Sequence, residues 1–139
     1  MVEASGEAVP AGQGGDGGEP RYGWDAVRVA PWMAAGCAVV ERRTAAALWP
    51  FLRAQAGAGG PAAVYTLAGR PLSDTPSPVS LAAAAAAAAA AGDIPARDHL
   101  LTRAQAQDAA LPTYYGGAWA ALGPLLLVTR RLGGCAPGS

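Results

Sequence analysis

The 139-residue sequence has no lysine and no asparagine, and it has only one histidine, one phenylalanine and two cysteines. Arginine therefore carries all of the basic side-chain charge, and its ten side chains are balanced by ten acidic ones. No cluster of arginines alternates with aromatic residues, although that is the pattern expected of a nucleic-acid-binding protein. Nucleic acid is therefore not an expected partner.

The scarcity of cysteine and histidine argues against a metal site or a cofactor. Cys37 and Cys135 belong to no CxxC or Cys/His pattern, so we expect two ordinary thiols and neither a zinc site nor a disulfide framework. His99 has no cysteine or serine arranged around it in the sequence, and we expect it to be a solvated helix residue. No cofactor is predicted.

Long runs of large hydrophobic residues are also missing. The run from Leu81 to Ala91 is almost entirely alanine and is far shorter than the roughly 20 apolar residues that cross a bilayer. Residues 1–18 include Glu3 and Glu7 but no basic or apolar region, so we expect neither a signal peptide nor a membrane partner. These observations do not assign a localisation.

What the sequence does contain divides into three parts. Residues 1–20 are glycine-rich and have too little apolar surface to offset the entropy of ordering, so they are predicted to be a disordered lead. Residues 21–133 are predicted to form one all-α domain, and residues 134–139 a disordered tail. Hydrophobic residues make up 52% of the chain, which is enough for a core, although much of that fraction is alanine.

Breaker and capping residues predict five helices in the all-α domain. Pro31 fits the first turn of a helix that runs to about Arg43, a stretch in which Gly36 is the only further breaker. Thr44 is predicted to cap a second helix, which has Pro50 in its first turns and Gly57 at its end.

The third and fourth helices follow from the same signals. Ser77 and Pro78 are predicted to start the alanine helix, which Gly92 ends. The fourth helix is predicted to start at Pro95 and to fade before Pro112. Residues 65–67, between the second and third helices, are predicted to be a short extended segment.

The fifth helix is predicted from about Tyr115 to Leu132, with a kink at Pro124. Trp119 recurs with leucines at three- and four-residue spacing along it, and Trp49 is similarly spaced with leucines in the second helix. Both tryptophans are therefore expected in the core.

The segment from Tyr22 to Trp32 carries the strongest indication of chemistry. Asp25 stands three residues before Arg28, so we expect the carboxylate and the guanidinium to lie within mutual reach near a helix start. Such a pair beside flat aromatic surfaces suits a sugar, because sugar rings stack on aromatic rings while charged groups bind hydroxyls and water. Trp24 and Trp32 fit a sugar cleft and the protein core equally well.

This segment resembles a motif of glycoside hydrolase family 8 that reads approximately Tyr-x-x-Asp-Ala-x-Arg-Val-Pro-Trp. The matching residues are Asp25, Ala26, Arg28, Val29, Pro31 and Trp32, with Ala30 as an extra residue before the proline. Residues 65–74 resemble the family's segment in which a Gly-x-Pro turn precedes a helix rich in small residues. Residues 114–122 resemble the double-tyrosine start of the family's final helix, so the resemblance covers about residues 21–133.

The resemblance implies a cellulase-type glycosidase that hydrolyses beta-1,4-linked glucan with inversion. It also implies an (α/α)6 barrel of six helical hairpins, of which this chain would form the incomplete, C-terminal half. In the family the aspartate of the motif is the general base, so Asp25 is expected to activate water. Arg28 is expected to hold the Asp25 carboxylate in its ionised form and to orient it. The expected substrate-binding residues are Tyr22, Trp24, Arg28, Trp32, Tyr114 and Tyr115.

The resemblance further implies a general acid, which in the family is a glutamate in the N-terminal half. No segment here resembles that half, because Glu3, Glu7 and Glu19 lie in the lead and Glu41 lies on a helix face beside arginines. A missing N-terminal half is therefore expected to supply the acid, and its loss would lower the rate by about 10² to 10⁴. The alternative is a non-catalytic helical protein, either a remnant or a carbohydrate-binding or assembly module. Members of the family are often secreted or periplasmic.

Overall fold

The computed structural model describes residues 20–132 other than 58 and 75, and these residues form a mostly helical domain, as predicted. Its elements in chain order are β1 (Arg21–Tyr22), a 3-10 turn (Ala26–Arg28), α1 (Val29–Ala35), α2 (Val39–Ala47), α3 (Trp49–Gly57), β2 (Tyr65–Thr66), α4 (Pro78–Ala90), α5 (Ile94–Ala110) and α6 (Tyr114–Leu127). The predicted lead, apart from Pro20, and the predicted tail lie outside the described residues. No helix in the described ranges is long and apolar enough to cross a membrane.

The alanine helix α4 lies at the centre of the fold. It contacts α1, α2, α3, α5 and α6, and every residue from Pro78 to Ala88 is buried. A helix that is apolar on all sides has to be surrounded by protein, and methyl side chains allow its neighbours to approach closely. The central position of α4 therefore explains why most of its side chains are those of alanine.

The two faces of α4 belong to two core clusters. The cluster between α4, α3 and α5 includes Leu81, Ala84, Ala85, Ala88, Trp49, Leu52, Leu100 and Leu101. The cluster between α4, the 3-10 turn, α1 and α6 includes Val79, Ala82, Ala83, Ala86, Val27, Ala30 and Trp119. In both clusters the members on α4 recur at three- and four-residue spacing, so each set lies on one helix face. The core positions predicted for Trp49 and Trp119 are confirmed.

Side-chain caps start the last three helices. Ser77, Asp93 and Thr113 each accept a hydrogen bond from the backbone N–H three residues later, at the N-termini of α4, α5 and α6. Pro78 and Pro95 lie in the first turns of α4 and α5. The predicted starts of these two helices are therefore confirmed.

The prediction of one continuous helix from residue 31 to about residue 43 is wrong. α1 ends at Ala35 because Gly36 is extended, with a ψ of 156°. The Glu41 carboxylate then accepts a hydrogen bond of 3.0 Å from the Ala38 backbone N–H, which stabilises the first turn of α2. The break therefore falls at Gly36, the one breaker noted in this stretch, and the Glu41 hydrogen bond stabilises the start of the next helix.

The predicted cap at Thr44 is also wrong. Thr44 lies inside α2, and its hydroxyl donates a hydrogen bond to the Val40 carbonyl four residues earlier. α3 begins at Trp49, with Pro50 in its first turn, and includes Gly57 at its end. The proline and the glycine therefore mark the ends of α3 as expected, while the boundary between the helices lies later than predicted.

The last helix begins at Tyr114 and ends at Leu127, earlier than the predicted Leu132. Pro124 lies inside α6 and does not end it. The Val128 backbone N–H still donates to the Pro124 carbonyl at 3.0 Å, so the helical hydrogen-bond pattern resumes immediately after the proline.

The extended segment predicted at residues 65–67 is strand β2, which pairs antiparallel with β1. In this register Tyr22 lies opposite Tyr65, and Arg21 lies opposite Thr66. β1 was not predicted, because two residues are too few to show an alternating pattern. The pair ties the start of the domain to the connection between α3 and α4.

Cys37 corrects the prediction of ordinary thiols. It lies between α1 and α2 and is disulfide-bonded, and the described part of the chain contains no free cysteine. The other cysteine of the sequence, Cys135, lies outside the described residues. The sequence around Cys37 contains no CxxC or Cys/His pattern and so did not indicate this bond.

Candidate functional site

The predicted base and its arginine lie on the single turn between β1 and α1. The Val27 backbone N–H donates to the Gly23 carbonyl at 2.9 Å, which closes the backbone around Trp24 and Asp25. Arg28 forms an ion pair with the Asp25 carboxylate, which confirms that the two groups lie within mutual reach. The Asp25 side chain is 92% exposed and that of Arg28 is 43% exposed, so the carboxylate is open to water.

Trp24 is brought against Tyr115, which lies in the first turn of α6. Their ring centroids are 6.4 Å apart at an interplanar angle of 71°, an edge-to-face contact. The Tyr115 hydroxyl also donates to the Trp24 carbonyl at 3.4 Å. Two of the predicted sugar-binding residues, distant in sequence, therefore form one aromatic surface beside Asp25.

A pocket of about 380 Å³, which we name the Trp24 pocket, opens between Trp24 and the first turns of α4 and α6. Its walls include Trp24, Tyr115, Leu111, Ser77, Gln107 and Thr113. The tryptophan, the tyrosine and the leucine provide an apolar surface, and Gln107 provides an amide group. The Ser77 and Thr113 hydroxyls also line the pocket, although each already accepts the capping hydrogen bond of its helix. Concave, mainly apolar sites with a few polar groups are typical of small-molecule and sugar binding.

Several of the predicted site residues lie outside the walls of the Trp24 pocket, namely Asp25, Arg28, Trp32 and Tyr114. Trp32 is 56% exposed and contacts the buried Trp119 edge to face, with ring centroids 6.4 Å apart. Tyr114 is 97% exposed at the start of α6. The structure therefore answers the question left open for Trp24 and Trp32, because both rings are about half exposed and neither is a core residue.

Tyr22 is separated from the other predicted binding residues. Its hydroxyl is buried and has no hydrogen-bond partner among the described residues. Burial, together with the neighbouring Tyr65, raises the pKa of Tyr22 to about 12. In this arrangement the Tyr22 hydroxyl faces the protein interior rather than the surface that holds Asp25.

Asp108 was missed by the sequence analysis. It lies near the end of α5, and its Oδ1 is buried without a hydrogen-bond partner in the described ranges. A Cβ added to Gly117 would lie 3.4 Å from both Asp108 carboxylate oxygens, so the glycine gives the carboxylate room at the first turns of α6. The C-terminus of a helix carries the negative end of the helix dipole, so an acidic residue there is unfavourable. This unfavourable position was the sequence signal that could have identified Asp108.

The remaining described carboxylates have structural partners or lie elsewhere on the surface. Glu41 and Asp93 bond the first turns of α2 and α5, and Asp98 pairs with Arg97. Asp74 is exposed in the connection before α4. Within the described residues no three histidine, cysteine or acidic side chains come together as a metal site would require.

Comparison with known proteins gives no assignment. No protein-family model matches the chain, and neither the curated proteins nor the solved structures contain a significant match.

Proposed function

We propose that this chain is part of an inverting glycoside hydrolase that acts on beta-1,4-linked glucan, with Asp25 as the general base. The observation that carries the proposal is the exposed ion pair of Asp25 and Arg28, in which Asp25 directly follows Trp24 in the chain, whose ring lines the Trp24 pocket. A pyranose ring presents an apolar face to an aromatic ring and hydroxyls at its edge, which matches a pocket with aromatic walls and a few polar groups.

In the proposed reaction Asp25 takes a proton from a water molecule as the water oxygen attacks the anomeric carbon. A carboxylic acid on the opposite face of the sugar protonates the leaving oxygen as the glycosidic bond breaks. Arg28 orients the Asp25 carboxylate through their ion pair. The open surroundings of Asp25 leave room for the attacking water.

The general acid is proposed to come from a segment outside the described residues. Glu41, Asp93 and Asp98 already bond backbone groups or an arginine within the domain. Asp74 and Asp108 do not line the Trp24 pocket, and the Asp108 Oδ1 is buried away from solvent. The same proposal includes an (α/α)6 barrel completed by further helical hairpins. In such a barrel the fully buried α4 would be an inner helix.

A non-catalytic carbohydrate-binding module is the second candidate function. The observation that favours it is the exposure of the Asp25 side chain, at 92%, because catalytic carboxylates usually act in sites that exclude bulk water. Under this alternative Trp24, Tyr115 and the polar walls of the pocket bind the glucan, and no bond is broken.

Hydrolysis of cellohexaose by Asp25→Asn tests the enzyme proposal. The native length of the protein is first established by intact mass, and wild type and variant are prepared at that length. Wild type is expected to release products first as the α-anomer, seen by proton NMR, because inversion of a beta linkage gives that configuration. Asparagine cannot accept the proton, so the variant is expected to lose at least about 10²-fold in rate.

Asp74→Asn is the matched control, since it makes the same change at another exposed aspartate. It is expected to hydrolyse cellohexaose at the wild-type rate, and both variants are expected to unfold at the wild-type denaturant midpoint. Initial release of the β-anomer, or full activity of Asp25→Asn, would contradict the proposed mechanism. Glucan binding without hydrolysis would favour the binding module.

A further inference from the structure

A second pocket lies away from Asp25, where the α2–α3 corner meets β1 and the turn after β2. Its volume is about 270 Å³, and its walls include Tyr22, Ala47, Phe51, Tyr65, Thr66 and Gly69. We name it the Phe51 pocket. None of its wall residues lines the Trp24 pocket, so the two are separate sites.

Aromatic rings form much of the Phe51 pocket. Phe51 and Tyr65 contact each other edge to face, with ring centroids 5.1 Å apart and an interplanar angle of 78°. Tyr22 lies opposite Tyr65 in the β1–β2 pair, which brings the third ring to the same pocket. Tyr65 is almost fully buried and supports the Phe51 ring, so Phe51 and the partly exposed Tyr22 are the rings that can contact a planar ligand.

Three hydroxyl-bearing side chains line the pocket, and two of the hydroxyls are engaged within the protein, while that of Tyr22 is buried away from solvent and is therefore out of reach of a ligand. The Tyr65 hydroxyl accepts a hydrogen bond of 2.6 Å from the Ala62 backbone N–H. The Thr66 hydroxyl accepts one of 3.1 Å from the Arg70 backbone N–H. A strongly polar ligand such as a sugar or an ion would lose its hydration here with little compensation, whereas an apolar ligand would not.

The rim of the pocket is held in place by the turn after β2. The Gly69 backbone N–H donates to the Thr66 carbonyl and the Thr66 N–H donates to the Arg70 carbonyl, both at 2.9 Å. Gly69 has a φ of +81°, and a Cβ there would lie only 3.0 Å from the Phe51 ring. Glycine is required on both grounds, so the turn after β2 can approach the Phe51 ring closely and form this side of the pocket.

We propose that the Phe51 pocket binds a small planar aromatic molecule of one or two rings. The ring-lined walls favour aromatic contacts, the engaged polar groups favour an apolar ligand, and the volume sets the size. An apolar cavity of roughly 150 Å³ holds benzene, so a pocket of about 270 Å³ accommodates a bicyclic ring such as indole. The inference is independent of the proposed glucan activity.

Calorimetric titration of the full chain with indole tests the inference. Wild type is expected to bind one indole per chain with a saturable isotherm. Ala47→Leu places three further carbon atoms in the pocket and is expected to weaken indole binding by about tenfold or more. Ala54→Leu makes the same change at an exposed position of α3 outside the pocket walls and is expected to bind as wild type does.

Two further probes test the aromatic preference and do not depend on the folding of any variant. Phenol and cyclohexanol each have one six-membered ring and one hydroxyl, but only phenol is planar and aromatic, and cyclohexanol is expected to bind wild type at least about fivefold more weakly than phenol. The inference is overturned if indole shows no saturable binding up to its solubility limit. It is also overturned if a folded Ala47→Leu binds indole as tightly as Ala54→Leu does, or if cyclohexanol binds as well as phenol.

Discussion

At the scale of single residues, Tyr22 shows how the fold changes the role that a sequence motif indicates. Its place in the motif predicts a sugar contact, but its hydroxyl is buried without a partner among the described residues. A buried hydroxyl that lacks a hydrogen bond costs free energy, and burial also disfavours the charged phenolate. Tyr22 therefore makes the stability of the protein depend on pH in the alkaline range.

Unfolding at alkaline pH tests this account of Tyr22. Its pKa is about 12 in the folded protein against about 10 in the unfolded chain, so only the unfolded state loses the proton between these values. The contribution of the protonated Tyr22 hydroxyl to the free energy of unfolding is complete below pH 10 and is lost as the pH rises through 12. Urea unfolding at pH 9 and 11.5 should show wild type losing about 2 kcal/mol more than Tyr22→Phe.

Tyr114→Phe is the control for that comparison, because it removes a hydroxyl from a tyrosine that is almost fully exposed. It is expected to lose as much stability as wild type over the same pH interval. Equal losses in Tyr22→Phe and wild type would show that the Tyr22 hydroxyl is not buried in solution.

At the scale of secondary-structure elements, α4 shows what the sequence could and could not predict. The cap Ser77, the first-turn proline and the following Gly92 all predict its ends, since each has a local cause. Its two packing faces could not be predicted, because ten identical alanines have no periodicity. Only the neighbouring helices distinguish Ala85 from Ala86.

Enlarging an alanine at the centre of α4 tests whether the helix is packed on all sides. Ala85 is fully buried, and Ala85→Leu is expected to lower the free energy of unfolding by about 1–3 kcal/mol because the added carbon atoms overpack the core. Ala106→Leu, at an exposed position within α5, is expected to change it by less than about 0.5 kcal/mol. Urea unfolding measures both values. Equal stability of the two variants would contradict the central position of α4.

The corner between α1 and α2 illustrates why the other helix boundaries were misplaced. Thr44 is a good capping residue by type, but its hydroxyl bonds the preceding turn of an existing helix. The break occurs at Gly36, where Arg42 donates hydrogen bonds to the Gly36 and Cys37 carbonyls at 3.2 and 2.8 Å. These side-chain bonds compete with capping propensity and are not visible as a pattern in the sequence.

At the scale of the whole molecule, the candidate site depends on contacts between distant parts of the chain. The ion pair of Asp25 and Arg28 follows from their spacing of three residues and could be predicted. The contact of Trp24 with Tyr115 could not, because it requires α6 to pack on α1. Gln107, a wall of the Trp24 pocket, belongs to no motif and was missed for the same reason.

The central claim is that the surface formed by Trp24 and Tyr115 binds beta-1,4-glucan, and calorimetric titration with cellohexaose tests it most directly. Wild type is expected to bind saturably, and Trp24→Ala to bind about tenfold more weakly or worse, because it removes the main aromatic wall of the pocket. Leu67→Ala, at an exposed leucine outside that pocket, is expected to bind as wild type does. Absence of saturable binding to wild type, or equal binding by Trp24→Ala and Leu67→Ala, would contradict the account.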